Sequence, residues 1–232
     1  MSMEVNEKEK RGSVAVSEAV IRRLPRYYRY LGDLLQKNIL RISSQELSRM
    51  MHVTSSQIRQ DFNCFGGFGQ QGYGYNVRFL YGKISEILGV TSRYTAIIVG
   101  VGNLGRALLS SPMFSKRGVM IAAVFDNDPA VIGTTLSGYV VKDVAQAAKY
   151  LENIHVDIAV LTVPRGAAVD TAKMLAENGV GGIWNFSNSE IDAETLGVAV
   201  ENVHLGDSLM KLMFRLDTSP EKGMVRGEDP RG

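Results

Sequence analysis

The 232-residue sequence has one cysteine, three histidines and no long apolar segment. Cys64 alone cannot form an internal disulfide, which fits a reducing compartment, so we expect a cytoplasmic protein. Because His52, His155 and His204 lie far apart, no zinc cluster has the ligand spacing that it needs. No apolar run approaches the roughly 20 residues that span a bilayer, and the charged N-terminus precedes no apolar segment. Neither a membrane helix nor a secretory signal is predicted.

The formal net charge is only +2, so any surface for nucleic acid must come from the local distribution of charge. One basic segment stands out, because four arginines fall within eight residues with no acid among them and with tyrosines between them. A solvated helix face is the alternative, but this density favours a phosphate-facing surface. The arginines are Arg22, Arg23, Arg26 and Arg29.

A predicted strand that runs into a glycine-rich turn is the strongest motif. The apolar segment 96–99 leads into Gly100-Val101-Gly102-Asn103-Leu104-Gly105, and a helical pattern follows. In this G-x-G-x-x-G pattern the glycines permit a tight turn, a close approach to a pyrophosphate, and packing of the helix on the strand. A second predicted strand ends at Asp126, where a carboxylate can bind a ribose 2′-hydroxyl. The motif predicts a site for NAD(H) rather than NADP(H), and the alternative is a strand–turn–helix without a ligand.

The first third of the chain has the pattern of a small helical DNA-binding domain. A predicted helix over 14–37 is interrupted at Pro25, and two capping-box patterns at 43–46 and 54–57 then start two short, closely connected helices. This arrangement predicts a helix-turn-helix, and the alternative is any small helical domain with polar surface helices. The residues predicted to contact DNA from these helices are Arg22, Arg26, Ser43, Ser44, Ser55, Ser56, Gln57, Arg59 and Gln60.

Glycines and aromatics dominate residues 65–76, with five glycines and four aromatic residues in this stretch. Glycine frees the backbone for a β-turn, and aromatic side chains can anchor the turn or wedge against a minor groove. Directly after a helix-turn-helix, the stretch predicts the wing of a winged helix; a flexible linker is the alternative. One more amphipathic helix ends a winged-helix domain at 14–88, and 89–93 is the expected linker.

From residue 94 onward, strand and helix patterns alternate up to residue 205. This order predicts an α/β Rossmann-type doubly wound parallel sheet over 94–205, whose ligands bind at the carboxyl ends of the strands. We expect the residues at two of these strand ends to line the nicotinamide end, where Asn185 can bond an amide and Phe186 offers an aromatic face; the alternative is that they are only strand ends. The further cofactor-binding residues predicted on this basis are Thr162, Val163, Pro164, Asn185 and Phe186.

A mostly apolar helix is predicted at 206–216, and such a helix needs a partner surface. We expect it to dock on a second subunit, because helix-turn-helix proteins usually read two half-sites as dimers. The polar segments 1–13 and 217–232 are expected to be disordered. Only 27 residues follow the predicted sheet, too few for a dehydrogenase's substrate domain, so we expect the nucleotide to act as a signal and not as a reagent.

Several specific motifs cover the chain from about 17 to 216. They are RLPRYYR at 23–29, SSQEL at 43–47, IRQDF at 58–62, FG at 65–66, GYGYNV at 72–77, GVGNLG at 100–105, LTVP at 161–164 and NF at 185–186. Together these motifs resemble one family, the Rex redox-sensing transcriptional repressors of Gram-positive and related bacteria. The resemblance implies a homodimer with an N-terminal winged helix, a C-terminal Rossmann domain and a C-terminal helix swapped between subunits. It also implies palindromic operator DNA that is bound when NADH is scarce relative to NAD⁺ and released when NADH rises. By position, the resemblance further implies that Gly72, Tyr73 and Tyr75 of the wing contact the minor groove.

The chain departs from the family pattern at two positions. In family members an aspartate that can pair with an arginine at the position of Arg23 follows the Asn-Val pair, and here that residue is His204. Leu205 stands where some members place an aromatic residue near the partner's nicotinamide. Two other hypotheses stay open: a DNA-binding regulator that senses another nucleotide, such as a CoA ester, and a small NAD-dependent enzyme with a DNA-binding module.

Overall fold

The computed structural model describes residues 17–64, 69–70 and 73–218. The chain divides into two compact units, and the boundary falls between Ser92 and Arg93. The predictions for Gly72, for the segment 1–13 and for the tail beyond residue 218 lie outside the described residues.

The first unit, in its described residues, is made of short helices around a small sheet. The two predicted short helices are present as α3 and α4, and the wing is present as an antiparallel sheet in the order β1-β3-β2. Strand β1, which was not predicted, pairs with β3 and ties the wing to the chain ahead of α3. The elements are α1 (Glu18–Ile21), α2 (Leu24–Gln36), β1 (Arg41–Ile42), α3 (Ser44–Met51), α4 (Ser55–Asn63), β2 (Gly69–Gln70), β3 (Gly74–Asn76) and α5 (Val77–Ile87).

The helix boundaries follow local chemistry. Pro25 lies in the first turn of α2, where its missing N–H costs no hydrogen bond, so the helical pattern breaks just ahead of it. Ser43 and Glu46 form the complete reciprocal capping box that starts α3. At α4 the prediction was half wrong: the Thr54 hydroxyl accepts from the backbone N–H of Gln57, but the Gln57 amide donates to Asp61 instead of returning to Thr54.

The second unit contains a seven-stranded sheet in the order β10-β9-β8-β4-β5-β7-β6. Its first six strands pair in parallel, and only β6, at the edge, is antiparallel. Apart from this edge strand, the order is that of a doubly wound dinucleotide-binding sheet, in which the chain reverses direction between β4 and β8. The elements are β4 (Tyr94–Val99), α6 (Asn103–Leu109), β5 (Val119–Asp126), β6 (Thr135–Leu136), β7 (Tyr139–Asp143), α7 (Ala147–Leu151), β8 (Ile158–Leu161), α8 (Arg165–Glu177), β9 (Gly182–Asn185), α9 (Ala193–Leu196), β10 (Ala199–Asn202) and α10 (Leu205–Asp217).

The central strand β4 is buried on both faces. Ile97 and Val99 pack in the cluster that includes α7 and α8, whereas Ala96 and Ile98 pack in the cluster that includes α6. Because successive side chains of a strand point to opposite faces, an uninterrupted apolar run is what a sheet covered on both sides requires. This packing leaves the carboxyl ends of the strands as the open edge at which a ligand can bind.

The end of the sheet corrects one predicted boundary. The sheet domain was predicted to extend to residue 205, but its last strand, β10, ends at Asn202, and Leu205 is the first residue of α10. Helix α10 has no buried residue in the described chain, and its apolar side chains are exposed. None of the helices in the described residues is long and apolar enough to cross a membrane.

Candidate dinucleotide and nucleic-acid sites

A cavity of about 460 Å³ opens at the carboxyl ends of β4, β5 and β8, where the strand order reverses. Most of the predicted cofactor residues line it, but the sequence pattern missed four polar residues, Arg106, Asn127, Asp128 and Thr171. The predicted residues that line the cavity are Gly100, Val101, Gly102, Asp126, Thr162, Val163 and Pro164.

The glycine-rich turn is held by contacts that admit no side chain at two of its glycines. Gly100 has a φ of +95°, and a Cβ there would lie 2.7 Å from the Thr162 carbonyl oxygen. A Cβ on Gly105 would overlap the carbonyl oxygen of Gly100, to which the Thr162 hydroxyl also donates at 2.6 Å. A Cβ on Gly102, in contrast, would meet nothing within 4 Å. The backbone at Gly102 is therefore open to a ligand in the cavity.

Asp126 connects the turn to the end of β5. One carboxylate oxygen accepts from the backbone N–H of Val101 at 2.6 Å, and the other accepts from the backbone N–H of Asp128 at 2.9 Å. Two carboxylate oxygens offer about four acceptor positions, so lone pairs remain for a hydroxyl donor. Asp126 thus holds the turn and still presents an acceptor to the cavity.

Arg106 brings a positive charge to the same cavity. Its Nε donates to the Val101 carbonyl oxygen at 2.8 Å, which orients the guanidinium beside the glycine-rich turn. The sequence pattern did not reveal it, because an arginine at this helix position carries no signal until the tertiary structure shows that it lines the cavity.

Five of the predicted cofactor residues do not line the cavity. They are Asn103, Leu104, Gly105, Asn185 and Phe186. The Asn185 side chain is 1% exposed, and its amide donates to the Ser189 carbonyl and the Asn202 side chain. Its oxygen accepts from the backbone and hydroxyl of Ser187.

The predicted bond from the Asn185 amide to a nicotinamide is therefore corrected, because protein partners occupy that side chain. Asn185 instead stabilises the loop after β9. Phe186 packs on Trp184, with a ring-centroid distance of 4.7 Å.

His204, one of the two departures from the family pattern, pairs within its own unit. Its Nε2 lies 2.9 Å from Glu190 Oε2, and Glu190 also accepts from Asn202 at 3.3 Å. His204 is the N-cap residue of α10, so this pair joins the loop after β9 to the start of the last helix. No group of three or more potential metal ligands lies within the described part of the chain.

The outer face of α4 presents the polar side chains of a recognition helix. Ser56, Arg59 and Gln60 are exposed. The Arg59 guanidinium donates to the hydroxyl of Ser44 at 3.4 Å and to that of Ser56 at 3.2 Å. Arg59 has no ion pair among the described residues, so its charge is available to an anionic partner.

Arg23 and its neighbours form a partly buried ionic network around the buried carboxylate of Asp61. The Arg23 guanidinium donates to both oxygens of Asp61, at 2.7 and 2.8 Å, and Tyr27 and Gln57 each donate to Asp61 at 2.8 Å. Burial alone would raise the pKa of Asp61, but hydrogen bonds from Arg23, Gln57 and Tyr27 outweigh it and lower the pKa. Arg23 therefore stabilises the domain and is not free to contact phosphate.

Several other predicted DNA contacts also have structural partners. Arg26 donates to the carbonyl of Met51 at 2.5 Å, and the hydroxyl of Ser55 donates to Ser48 at 3.2 Å. Arg22 pairs with Glu18 on an exposed helix face.

The two wing tyrosines have different environments. Tyr75 is 8% exposed, and its ring packs edge-on against Phe62 at 4.9 Å, so the prediction that it stacks in a minor groove is corrected. Burial raises the pKa of Tyr75, and the nearby charge of Arg59 opposes that rise. Tyr73, in contrast, is 70% exposed. Of these two tyrosines, Tyr73 is the one whose ring is exposed.

Comparisons with known proteins match both parts of the chain. A family model described as "Putative DNA-binding protein N-terminus" matches residues 15–63, and one described as "CoA binding domain" matches residues 91–189. The chain is 48% identical over 202 residues to the redox-sensing transcriptional repressor Rex of Caldicellulosiruptor saccharolyticus, covering 87% of this chain and 92% of that one. It is 47% identical over 213 residues to Rex of Caldanaerobacter subterraneus, covering 92% and 95%.

Solved structures of a Rex-family repressor called RSP are also similar. RSP in complex with β-NAD⁺ and operator DNA has a TM-score of 0.80 at 45% identity, with 92% of this chain and 98% of that chain covered. RSP in complex with β-NADH has a TM-score of 0.80 at 41% identity, with 91% and 98% covered. These matches confirm the predicted winged-helix and Rossmann architecture. The chain belongs to the Rex family of redox-sensing transcriptional repressors.

Proposed function

We propose that this protein is a cytoplasmic, homodimeric repressor that binds palindromic operator DNA when the ratio of NADH to NAD⁺ is low and is released by NADH. The proposal rests on one observation: this Rex-family chain has two sites. One is a helix face with a cationic side chain that forms no ion pair with a described residue, and the other is a crevice of the kind that binds dinucleotides. The first site is built around Arg59, and the second is built around Gly102 and Asp126. The related RSP structures contain NAD⁺ with operator DNA, and NADH.

The charges of the crevice favour an adenosine ribose without a phosphate. Asp126 and Asp128 both line the cavity, and a ribose phosphate beside them would meet two carboxylates. NADP(H) carries such a phosphate at the ribose 2′ position and CoA carries one at the 3′ position, whereas NAD(H) presents two hydroxyls. Arg106 supplies the positive charge for the pyrophosphate. NAD⁺ and NADH are thus the proposed ligands, and a CoA compound is the second candidate because of the matching family model.

We propose that base readout comes from the exposed outer face of the winged helix. Ser56, Arg59 and Gln60 would read base edges in the major groove, with Ser44 beside them and Tyr73 at the minor groove. Five further residues are proposed to contact phosphates, although each of their side chains also has a partner in the protein. They are Arg22, Arg26, Ser43, Ser55 and Gln57.

The nucleotide would act as a signal. The two oxidation states differ in the charge and shape of the nicotinamide ring, and a protein that binds them in different conformations converts that difference into a change of DNA affinity. We propose that no turnover accompanies binding. Sustained oxidation of NADH in the presence of small carbonyl compounds would instead favour the enzyme hypothesis.

A titration of one protein–DNA complex with several nucleotides tests the proposal. A labelled duplex selected by the full-length protein from a random library is held near its Kd while NADH, NAD⁺, NADPH and CoA are added, and fluorescence anisotropy reports release. NADH should release the DNA at a concentration at least about tenfold below that of any other nucleotide, a free-energy difference of about 1.4 kcal/mol. An unchanged anisotropy at saturating NADH would refute the proposal, and release by CoA alone would favour the second candidate.

A further inference from the structure

The wing carries an arginine that neither the helix-turn-helix pattern nor the glycine-rich stretch identifies. Arg41 lies on β1, in register with Asn76 of β3, and its neighbour Ile42 is in register with Tyr75. Ile42 and Tyr75 are buried in the core of the first unit. Because side chains alternate along a strand, Arg41 stands on the opposite, solvent-facing side of the wing sheet.

Arg41 contacts the exposed tyrosine of the wing. Its Nη1 donates to the Tyr73 carbonyl oxygen at 3.1 Å, and its guanidinium carbon lies 6.0 Å from the centroid of the Tyr73 ring. The hydrogen bond occupies one of the five N–H groups of a guanidinium. Arg41 has no ion pair among the described residues, so nothing there neutralises its charge.

The contact orients a positive charge together with an aromatic ring. A free arginine side chain loses rotamer entropy when it binds, and a guanidinium held by a carbonyl and a ring has already lost part of it. Gly74, between Tyr73 and Tyr75, has a φ of +68°, and a Cβ there would lie 2.8 Å from the Ile42 carbonyl oxygen. This close approach of β3 to β1 holds the two residues at one end of the wing.

We propose that Arg41 and Tyr73 form one minor-groove reading unit, which makes the protein prefer A·T pairs beside the sequence that α4 reads. This inference rests on the proposed binding of operator DNA. A·T tracts have a narrow minor groove with an enhanced negative potential that attracts arginine, and guanine adds an amino group that obstructs the groove floor. The unit therefore reads groove shape and potential and does not require a hydrogen bond to one base.

Base analogues distinguish recognition of the flanking pairs through the minor groove from recognition through the major groove. Three duplexes share one selected core and carry A·T, G·C or inosine–cytosine pairs at the flanks that the wing would reach. Inosine lacks the amino group of guanine, so its pair with cytosine resembles A·T in the minor groove and G·C in the major groove. For the wild type, G·C flanks should raise the Kd about tenfold relative to A·T flanks. Inosine–cytosine flanks should bind within about threefold of A·T.

Substitution of the arginine should remove the preference. Arg41→Ala should raise the Kd for the A·T duplex about tenfold and bring the three duplexes within about threefold of one another. Arg41→Lys keeps the charge but not the planar fork, so it should retain only part of the preference. Arg117→Ala is the matched control, since the Arg117 Nη1 also donates to a backbone carbonyl at 3.1 Å but lies in the second unit. The control should bind all three duplexes as the wild type does.

Each outcome has a distinct consequence. If Arg41→Ala folds, as its thermal unfolding will show, and keeps the wild-type ratio between A·T and G·C flanks, the inference is wrong while the proposed function stands. The same holds if inosine–cytosine flanks bind like G·C flanks, because the preference then comes from the major groove. A wild type that binds all three duplexes with equal affinity would likewise overturn the inference alone, whereas a wild type that binds none of them would overturn the proposed function and this inference together.

Discussion

The Arg23 guanidinium binds both oxygens of a carboxylate, that of Asp61, whose side chain is completely buried. The pair joins the start of α2 to α4, and Tyr27 and Gln57 satisfy the remaining lone pairs of the carboxylate. Because a buried charge without a partner is strongly destabilising, this pair makes the position of the recognition helix depend on the basic segment before it.

Asp61→Asn is expected to lower the free energy of unfolding of the first unit by about 3 kcal/mol at neutral pH, because Arg23 loses its charged partner. The pKa of Asp61 is lower in the folded than in the unfolded state. Its stabilising contribution is therefore complete above the unfolded pKa and is lost as the pH falls through the folded one. The difference between wild type and variant should shrink below about pH 4.

Urea unfolding followed by circular dichroism at several pH values measures this difference. Asp33→Asn, at an exposed position of α2, is the control and should change stability by less than about 0.5 kcal/mol. If the difference in free energy of unfolding between the wild type and Asp61→Asn stayed constant down to pH 3, it would contradict the lowered pKa of Asp61 and its pairing with Arg23.

Two glycines of the same turn should respond differently to substitution. Gly102→Val should fold normally, since a Cβ at Gly102 meets no atom within 4 Å and its φ is −61°. The added side chain would occupy the space of the pyrophosphate and abolish NADH binding. Gly105→Ala should destabilise the second unit by roughly 2 kcal/mol, because its Cβ overlaps the Gly100 carbonyl.

Thermal unfolding of both variants with and without NADH distinguishes the two effects. Gly102→Val should keep the melting temperature of the free wild type and lose the shift produced by NADH, and its DNA affinity should be unchanged. A retained NADH shift in Gly102→Val would show that the pyrophosphate does not approach this glycine.

Asp126→Ala should weaken NADH binding by about 2 kcal/mol, because a charge-assisted hydrogen bond to the ribose is lost. The affinity for NADPH should rise relative to that for NADH, because the substitution removes a negative charge beside the 2′-phosphate. Isothermal titration calorimetry with both nucleotides measures the change, and Asp170→Ala, at an exposed position of α8, is the control. Equal losses for NADH and NADPH would argue against a ribose contact.

Helix α10 should hold two subunits together. Leu209 and Leu212 are more than half exposed and lie on one face, whereas Lys211 lies on the other. Leu209→Glu combined with Leu212→Glu should convert a dimer into a monomer, because two carboxylates would have to be buried in the interface. Light scattering after size exclusion gives the mass; Lys211→Glu should remain dimeric, and a dimeric double variant would exclude α10 from the interface.

Local patterns in the sequence determined the glycine-rich turn, the capping box at Ser43 and the alternation of strands and helices. Each depends on residues within a few positions of one another, so backbone sterics and hydrogen bonding between near neighbours decide it. Asp126 was also predictable, because one strand–turn–helix–strand unit fixes its distance from Gly105. The family resemblance, which rests on these local motifs, implied the architecture of a winged helix followed by a Rossmann domain.

Only the tertiary structure decided which partner each polar side chain takes. Gln57, Asn185 and Tyr75 all carry groups suited to a ligand, yet each is used within the protein. Arg41 and Arg106, which had no local signal, prove to lie beside a wing tyrosine and a nucleotide crevice. The reason is that a buried hydrogen bond or ring contact takes whichever group the packing of distant segments places nearest, and sequence spacing does not specify that packing.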